Sequence, residues 1–377
     1  LAYRLSTEMG FKEVKNMQSM YYHPEKKLTV PCHVDDPLCK SENEEGRKWF
    51  HDTLDGLFDT KGGKILSPTQ ALDYLSIRIS TNDKGDIMLD NQAKIEEYLE
   101  QAGLADANPA KYPITKTTVK MLAKNAKAGI YDPQELHEET EKWLGQGQWL
   151  AATTHPVLAP VVSIYASIIK SHPAGSHQAL KTMLRYMVGV KDRCLVRRHD
   201  GNSGWKIESD ADWASMYAIT GEKRSRTGLL ARYNGMPVSW RSAYQQCKGT
   251  QVAFTEGASE HLISMSSAEA EVYAAADAAK LALHLHYLCG EVGIPQTTPK
   301  EILVDAGAAI GFIQNTGTIG RMKHIDLRST WLENMRNRSL IKYNRVSGDT
   351  NAADFFTKIT SGPTFEKYEQ QLMGQLM

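Results

Sequence analysis

The sequence predicts an α/β protein in which a mixed sheet carries helices on its faces, and three observations predict it. After about residue 195, strand-like segments (CLVRR, GWKIESD, and TGLLARY joined to MPVSW by Asn234-Gly235) are followed by alternating helix and strand patterns. These are a long helix near 267–292, the strand EILVDA, a short helix, the strand LIKYNRVS and a last helix from about 351. An antiparallel meander followed by strand, helix, strand, helix implies a mixed sheet with packed helices. Upstream, three helical stretches near 133–152, 157–170 and 175–190 are broken at His155-Pro156 and Pro173, which reads as a helical connector over 119–194. The first 118 residues mix short strands and helices, an α+β unit that ends in a Pro-punctuated linker.

The elements of that first unit follow in order. LTVPCHVDD (28–36) is a short apolar run ending in paired acids, and SENEEGRKWFHDTLDGLFDT is a helix stopped by Gly62-Gly63. ALDYLSIRIS and GDIMLD form a hairpin around TNDK, with Gly85 closing the turn. A helix from Asp90 carries Ile95, Leu99 and Ala102 on one side and is capped at Gly103. ADANPAKYPITKTT (105–118) is the linker.

Composition narrows the class without selecting a partner. The 377 residues hold 44 Lys plus Arg against 44 Asp plus Glu, so a nucleic-acid partner must be argued from local charge. Five scattered cysteines without CxxC spacing argue for a reducing compartment and against a zinc ribbon or disulfide framework. No apolar run approaches the roughly 18 residues of a membrane span, and no signal pattern opens the chain. The expectation is an intracellular protein with no membrane partner, in a cytoplasmic particle or the nucleus. The opening LAYRLSTEMGFKEV has no start signal and reads as the beginning of a fragment.

Acids in the last block, 195–370, fall where strands and helices begin or end: Asp210, Asp212, Glu269, Glu271, Asp305 and Asp354. Ser266 and Glu269 fit the S-x-x-E capping box, so Glu269 has a structural role worth about 1 kcal/mol. At about 100° per residue Glu271 shares a face with Ala275, Ala278, Ala282, Leu285 and Cys289, the face that meets the sheet. An uncompensated ion there costs several kcal/mol, so Glu271 needs a cation or a raised pKa. Asp305 closes the buried strand ILVD at the mouth where open α/β sheets place ligands, though an acid there also serves as a helix N-cap. Asp354 lies in the first turn of a helix behind Asn351, where the helix dipole alone favours an acid. Asp210 and Asp212 point to the same side of one strand, and position separates them only by placing Asp212 near the loop before Trp213.

SDADWA, KRSRTG, PVSW, SSAEAEVYA, VDAGAAI, MKHIDLR and NAADFFTK, in this order, resemble the RNase H domain of copia-type LTR-retrotransposon polyproteins. The resemblance assigns the family's D-E-D-D metal ligands to Asp210, Glu271, Asp305 and Asp354. Upstream, HVDD is similar to the catalytic turn of the family's reverse transcriptase, LDYLSIRIS to a following strand, and the stretch from WLGQGQW to YMVG to the helices before RNase H. It therefore implies a truncated reverse transcriptase remnant over 1–118, a connector over 119–194 and an RNase H-like fold over 195–370.

The implied chemistry is hydrolysis of the RNA strand of an RNA–DNA hybrid by two Mg²⁺ or Mn²⁺ ions. Lys223, Arg224 and Arg226 after the first acid's strand, and Arg321, Lys323, His324 and Arg328 after the third acid's helix, are the candidate phosphate contacts. Asp35 and Asp36 are expected to be a polymerase remnant: the third palm aspartate has no place among the residues before HVDD, and His33 stands where the family has Tyr. No DNA synthesis is expected from this chain. Further partners implied are upstream polyprotein parts, integrase and the rest of the reverse transcriptase. The sequence departs from the family in VDAGAAI, which lacks the Asn after the aspartate, in THPV, where TRPD is usual, and in extra residues near 247–260. The alternative function is a catalytically dead, degenerate remnant that at most binds nucleic acid. An integrase-type transposase is disfavoured because its acids follow a D-D-E order.

Overall fold

The computed structural model describes residues 1–60, 62–199, 204–245, 264–294, 300–314 and 326–376, with only the backbone of 326–329. The expected extra loop at 247–260, the strand HLIS up to Ile263, Lys323 and His324 lie outside the described residues.

In the N-terminal unit, α1 (Ala2–Thr7) precedes a small sheet of β1 (Lys12–Glu13), β2 (Met20–His23), β3 (Leu28–His33), β4 (Asp36–Pro37) and β5 (Lys40–Ser41). The helix α2 (Glu44–Leu57) starts where the Asn43 side chain accepts the Gly46 N–H, and Phe50 from it joins Leu5, Phe11, Leu28 and Val30 in a local core. A second sheet follows with β6 (Leu72–Tyr74), β7 (Ile77–Thr81) and β8 (Ile87–Asp90). ALDYLSIRIS is thus two strands, not one, because Leu75 and Ser76 both take positive φ and reverse the chain. Next is α3 (Gln92–Gln101), ended by Gly103 at φ 63.

Four helices make the connector. The first, α4 (Lys116–Ala128), was not expected: the Pro-rich stretch before it masked a start at Thr115, whose hydroxyl accepts the Thr118 N–H. Then come α5 (His137–Thr153), α6 (Ala159–Ile168) and α7 (Ser176–Val190), close to the expected positions. The strand β9 (Arg193–Arg197), read as the opening of the last block, pairs with β8 instead of the central sheet.

The central sheet contains β10 (Trp205–Asp212), β11 (Arg226–Tyr233), β12 (Met236–Tyr244), β13 (Lys300–Val304) and β14 (Ile341–Arg345), in the order β12-β11-β10-β13-β14. The short helix α8 (Tyr217–Thr220) links β10 to β11. β10 to β12 are antiparallel, and β10, β13 and β14 are parallel, which is the mixed α/β arrangement expected. Asn234 and Gly235 both take positive φ in the β11–β12 turn, the conformation a two-residue hairpin needs.

One face of this sheet, with Ile207, Leu229, Ala231, Ile302 and Val304, packs on α9 (Ser267–Glu291) through Ala275, Ala278, Ala279 and Ala282. Small side chains let the helix lie close to the strands. The helices α10 (Gly307–Ile313) and α11 (Asp326–Asn337) complete this layer; α11 was not read from the sequence. The opposite face carries Leu230, which shares one core with Leu180, Met183 and Met187 of α7 and with Phe355, Phe356 and Ile359. The last helix also differs from expectation. Asn351 caps a 3₁₀ turn (Ala352–Phe356), and the α-helix proper, α12 (Pro363–Leu372), begins only at a proline preset for a first turn. A terminal β15 (Gly374–Gln375) pairs with β9, tying the C-terminus to the second sheet.

Candidate metal centre

The parallel register sets Ser209 beside Val304, so the next residues, Asp210 and Asp305, emerge together at the carboxyl ends of adjacent strands. On the antiparallel side Asp210 faces Gly228. Glu271 reaches the same point from the second turn of α9, where it accepts the Ala211 N–H. Carboxylate oxygens of Asp210, Glu271 and Asp305 all lie within 4.8 Å of one another. Asp354 stands at the margin: its charge bears on Asp210 and Asp305, but it is not one of the three converging groups. Its Oδ1 is ion-paired with Lys358, and its Oδ2 accepts the Tyr368 hydroxyl at 3.4 Å.

Glu269 and Glu271 separate as the helix geometry requires. The Ser266 hydroxyl accepts the Glu269 N–H, and the Glu269 carboxylate accepts the Met265 N–H at 2.7 Å and the Tyr273 hydroxyl at 2.9 Å. Glu271 is only 8% exposed, and its Oε2 is buried without a hydrogen-bond partner.

Burial and mutual repulsion push these acids toward neutrality. Desolvation first, then the charges of Asp210 and Asp305, raise the Glu271 carboxyl to about 9. Desolvation, with Asp354 and Asp305 adding to it, raises Asp210 to about 7, against a Thr357 hydroxyl that donates to it at 2.6 Å. Asp305 is raised by burial and then by Asp354. Asp212 is the last residue of β10 rather than a loop residue, and it turns aside: its carboxylate accepts the Ser215 N–H at 2.6 Å and the Ser215 hydroxyl at 2.5 Å, which makes it a turn-former behind the cluster.

Several supporting residues gave no signal of their own in the sequence. Glu208, on the same strand face as Asp210, is wholly buried and paired with Arg232 and with Lys206 at 3.3 Å. Asn351 donates to the Ser209 carbonyl at 3.0 Å and accepts the Ala353 N–H at 3.2 Å, which pins the Asp354 turn to β10. Gly228 admits that turn: a Cβ there would collide with the Ala353 carbonyl oxygen. Strand alternation puts Glu208 and Asp210 on one face, but nothing local in the sequence shows which acid finds an internal cation.

No family model matches the chain. It is 26% identical to the retrovirus-related Pol polyprotein from transposon TNT 1-94 of Nicotiana tabacum, over 343 residues that make up 90% of this chain and 24% of that protein. It is likewise 26% identical over 331 residues to the retrovirus-related Pol polyprotein from transposon RE1 of Arabidopsis thaliana, 86% of this chain and 20% of that one. Over most of its length the chain is similar to the Pol polyproteins of copia-type retrotransposons. It spans about a quarter or less of the length of these Pol relatives. A shorter match, 36% over 104 residues, is to the secreted RxLR effector protein 161 of Plasmopara viticola; it involves 27% of this chain and 70% of that protein.

The other expected site residues lie in varied settings. Asp36 pairs with His33 in the tight β3–β4 hairpin, Asp35 is in its turn, and both are exposed and separate from the three converging acids. Lys223 is exposed, whereas Arg224 is ion-paired with Glu222 at 2.6 Å and stacks over Tyr244. Arg226 does not meet the expectation of a phosphate contact. It is wholly buried, stacked on Tyr244 and bonded to Ser163 at 2.7 Å, because its inward position on β11 faces the connector. Arg328 lies on α11.

The donor set fits a hard divalent cation. Three oxygen donors converge, and the partnerless Oε2 of Glu271 is an acceptor with nothing to accept from. Mg²⁺ and Mn²⁺ suit such all-carboxylate sites.

Proposed function

We propose that this Pol chain carries an RNase H-type endonuclease that cuts the RNA strand of RNA–DNA hybrids with two divalent ions, Mg²⁺ or Mn²⁺. The observation that carries the reading is the convergence of Asp210, Glu271 and Asp305 at the strand ends with an unpartnered buried carboxylate oxygen. Ions held there would activate water on one side of a phosphodiester and stabilise the leaving oxygen on the other. Asp210 and Asp305 supply oxygens from two parallel strands, Glu271 supplies one from the helix layer, and Asp354 serves as the marginal fourth ligand. Thr357 orients Asp210, and Asn351 orients the Asp354 turn. Exposed Lys223 is suited to backbone phosphate, and discrimination of RNA would rest on 2′-hydroxyl contacts across the minor groove. In the longer polyprotein the neighbouring partners would be the rest of the reverse transcriptase and integrase.

The test is a substrate panel with the full chain, because the sheet shares its core with the connector helices. Labelled RNA in an RNA–DNA hybrid should be cleaved in Mg²⁺ and spared in EDTA, with duplex RNA and duplex DNA left intact. Retention of hybrid without cutting would select the inactive nucleic-acid-binding remnant instead.

A further inference from the structure

Lys358 borders the site, and the proposed chemistry does not use it. It follows the 3₁₀ turn four residues after Asp354, and its ammonium pairs with Asp354 Oδ1. With Tyr368 on Oδ2, both oxygens of that carboxylate are engaged. The Lys358 charge also bears on Asp210, Glu271 and Asp305. Yet the side chain is 52% exposed, so its long stem can withdraw into solvent without opening a core. Asp354, by contrast, is held by a turn that Asn351 pins to β10. The lysine is therefore the mobile partner of the two.

We propose that Lys358 is a tethered counter-ion that occupies the Asp354 side of the acid cluster and must be displaced before a divalent cation can use that carboxylate. The proposal rests on the metal-site reading above. It makes Lys358 a positioning residue that sets cation affinity at the Asp354 side, separately from the three converging acids. A divalent ion and an ammonium near one carboxylate repel each other and compete for its oxygens, so removing the ammonium should tighten binding.

Mn²⁺ titration of the full chain, read by the EPR signal of free Mn²⁺, compares the parent with Lys358→Gln and Lys358→Arg. Lys358→Gln should bind Mn²⁺ roughly three- to tenfold more tightly, the range for a half-exposed charge acting on a divalent ion. Lys358→Arg keeps the charge and should bind as the parent does. Equal or weaker binding by Lys358→Gln, with the parent binding normally, overturns the counter-ion role and leaves the metal site standing. No binding by parent or variant overturns the metal site and this role together.

Discussion

Replacing Glu271 by Gln should stabilise the metal-free protein, and the gain should depend on pH. The Glu271 carboxyl is raised from 4.5 to about 9 by burial and by Asp210 and Asp305. Between those values the folded state keeps a proton that the unfolded chain has released, so stability falls as pH rises through the window. At pH 7, about two and a half pH units above the ordinary value, a cost of about 1.4 kcal/mol per unit gives roughly 3 kcal/mol. Gln has no such linkage and still accepts the Ala211 N–H. Calorimetry in EDTA should show Glu271→Gln melting roughly 6–12 °C above the parent at pH 7, given about 2–4 °C per kcal/mol for larger domains. The difference should shrink toward zero near pH 4.5. With Mn²⁺ the order should narrow or reverse, since a cation bound at 100 times its Kd adds about 2.7 kcal/mol to the form that holds it best. A variant that melts below the parent in EDTA at pH 7, or a gain independent of pH, would refute the burial argument.

Three further substitutions probe the frame around the cluster, each read by urea denaturation. Gly228→Ala should cost about 2–3 kcal/mol, because the new methyl meets the Ala353 carbonyl, a backbone atom that cannot rotate away, with Thr357 Cγ2 at 2.9 Å beside it. Asn351→Ala should cost about 2 kcal/mol through the orphaned Ser209 carbonyl and Ala353 N–H, and should lower cleavage as well. Arg232→Ala should cost about 2–4 kcal/mol by leaving buried Glu208 with half-exposed Lys206 and the Ala352 N–H as its remaining partners, whereas the double change with Glu208→Gln should recover much of that loss.

The elements of the central sheet were legible along the chain because they have clear periods: the Asn234-Gly235 turn, the alternation in GWKIESD and the 25-residue helix α9 each carry their own signature. Glu271 was legible for the same reason. A helix period assigns every residue a face, and an acid on an alanine face stands out. Asp210 could not be told from Asp212 by pleat, and its choice rested on family likeness; in the fold the distinction comes from Ser215, which captures Asp212. The pairing of β9 with β8 was illegible because strand pattern says nothing about partner. Arg226 misled for a related reason: a basic cluster in sequence looks solvated until strand alternation turns one member inward onto Tyr244. Helix α4 was hidden by the prolines before it, although Thr115 was a readable cap.

The central claim is that Asp210, Glu271 and Asp305 hold the ions that cut RNA. Its most direct test is Mg²⁺-dependent cleavage of a labelled RNA–DNA hybrid by the full chain, run beside Asp210→Asn and Glu271→Gln. The account predicts cleavage by the parent that leaves a 3′-hydroxyl, and a loss of at least about 100-fold in each variant, the order expected when a main electrostatic contact to the reacting group is removed. Cleavage unchanged in Glu271→Gln would contradict it.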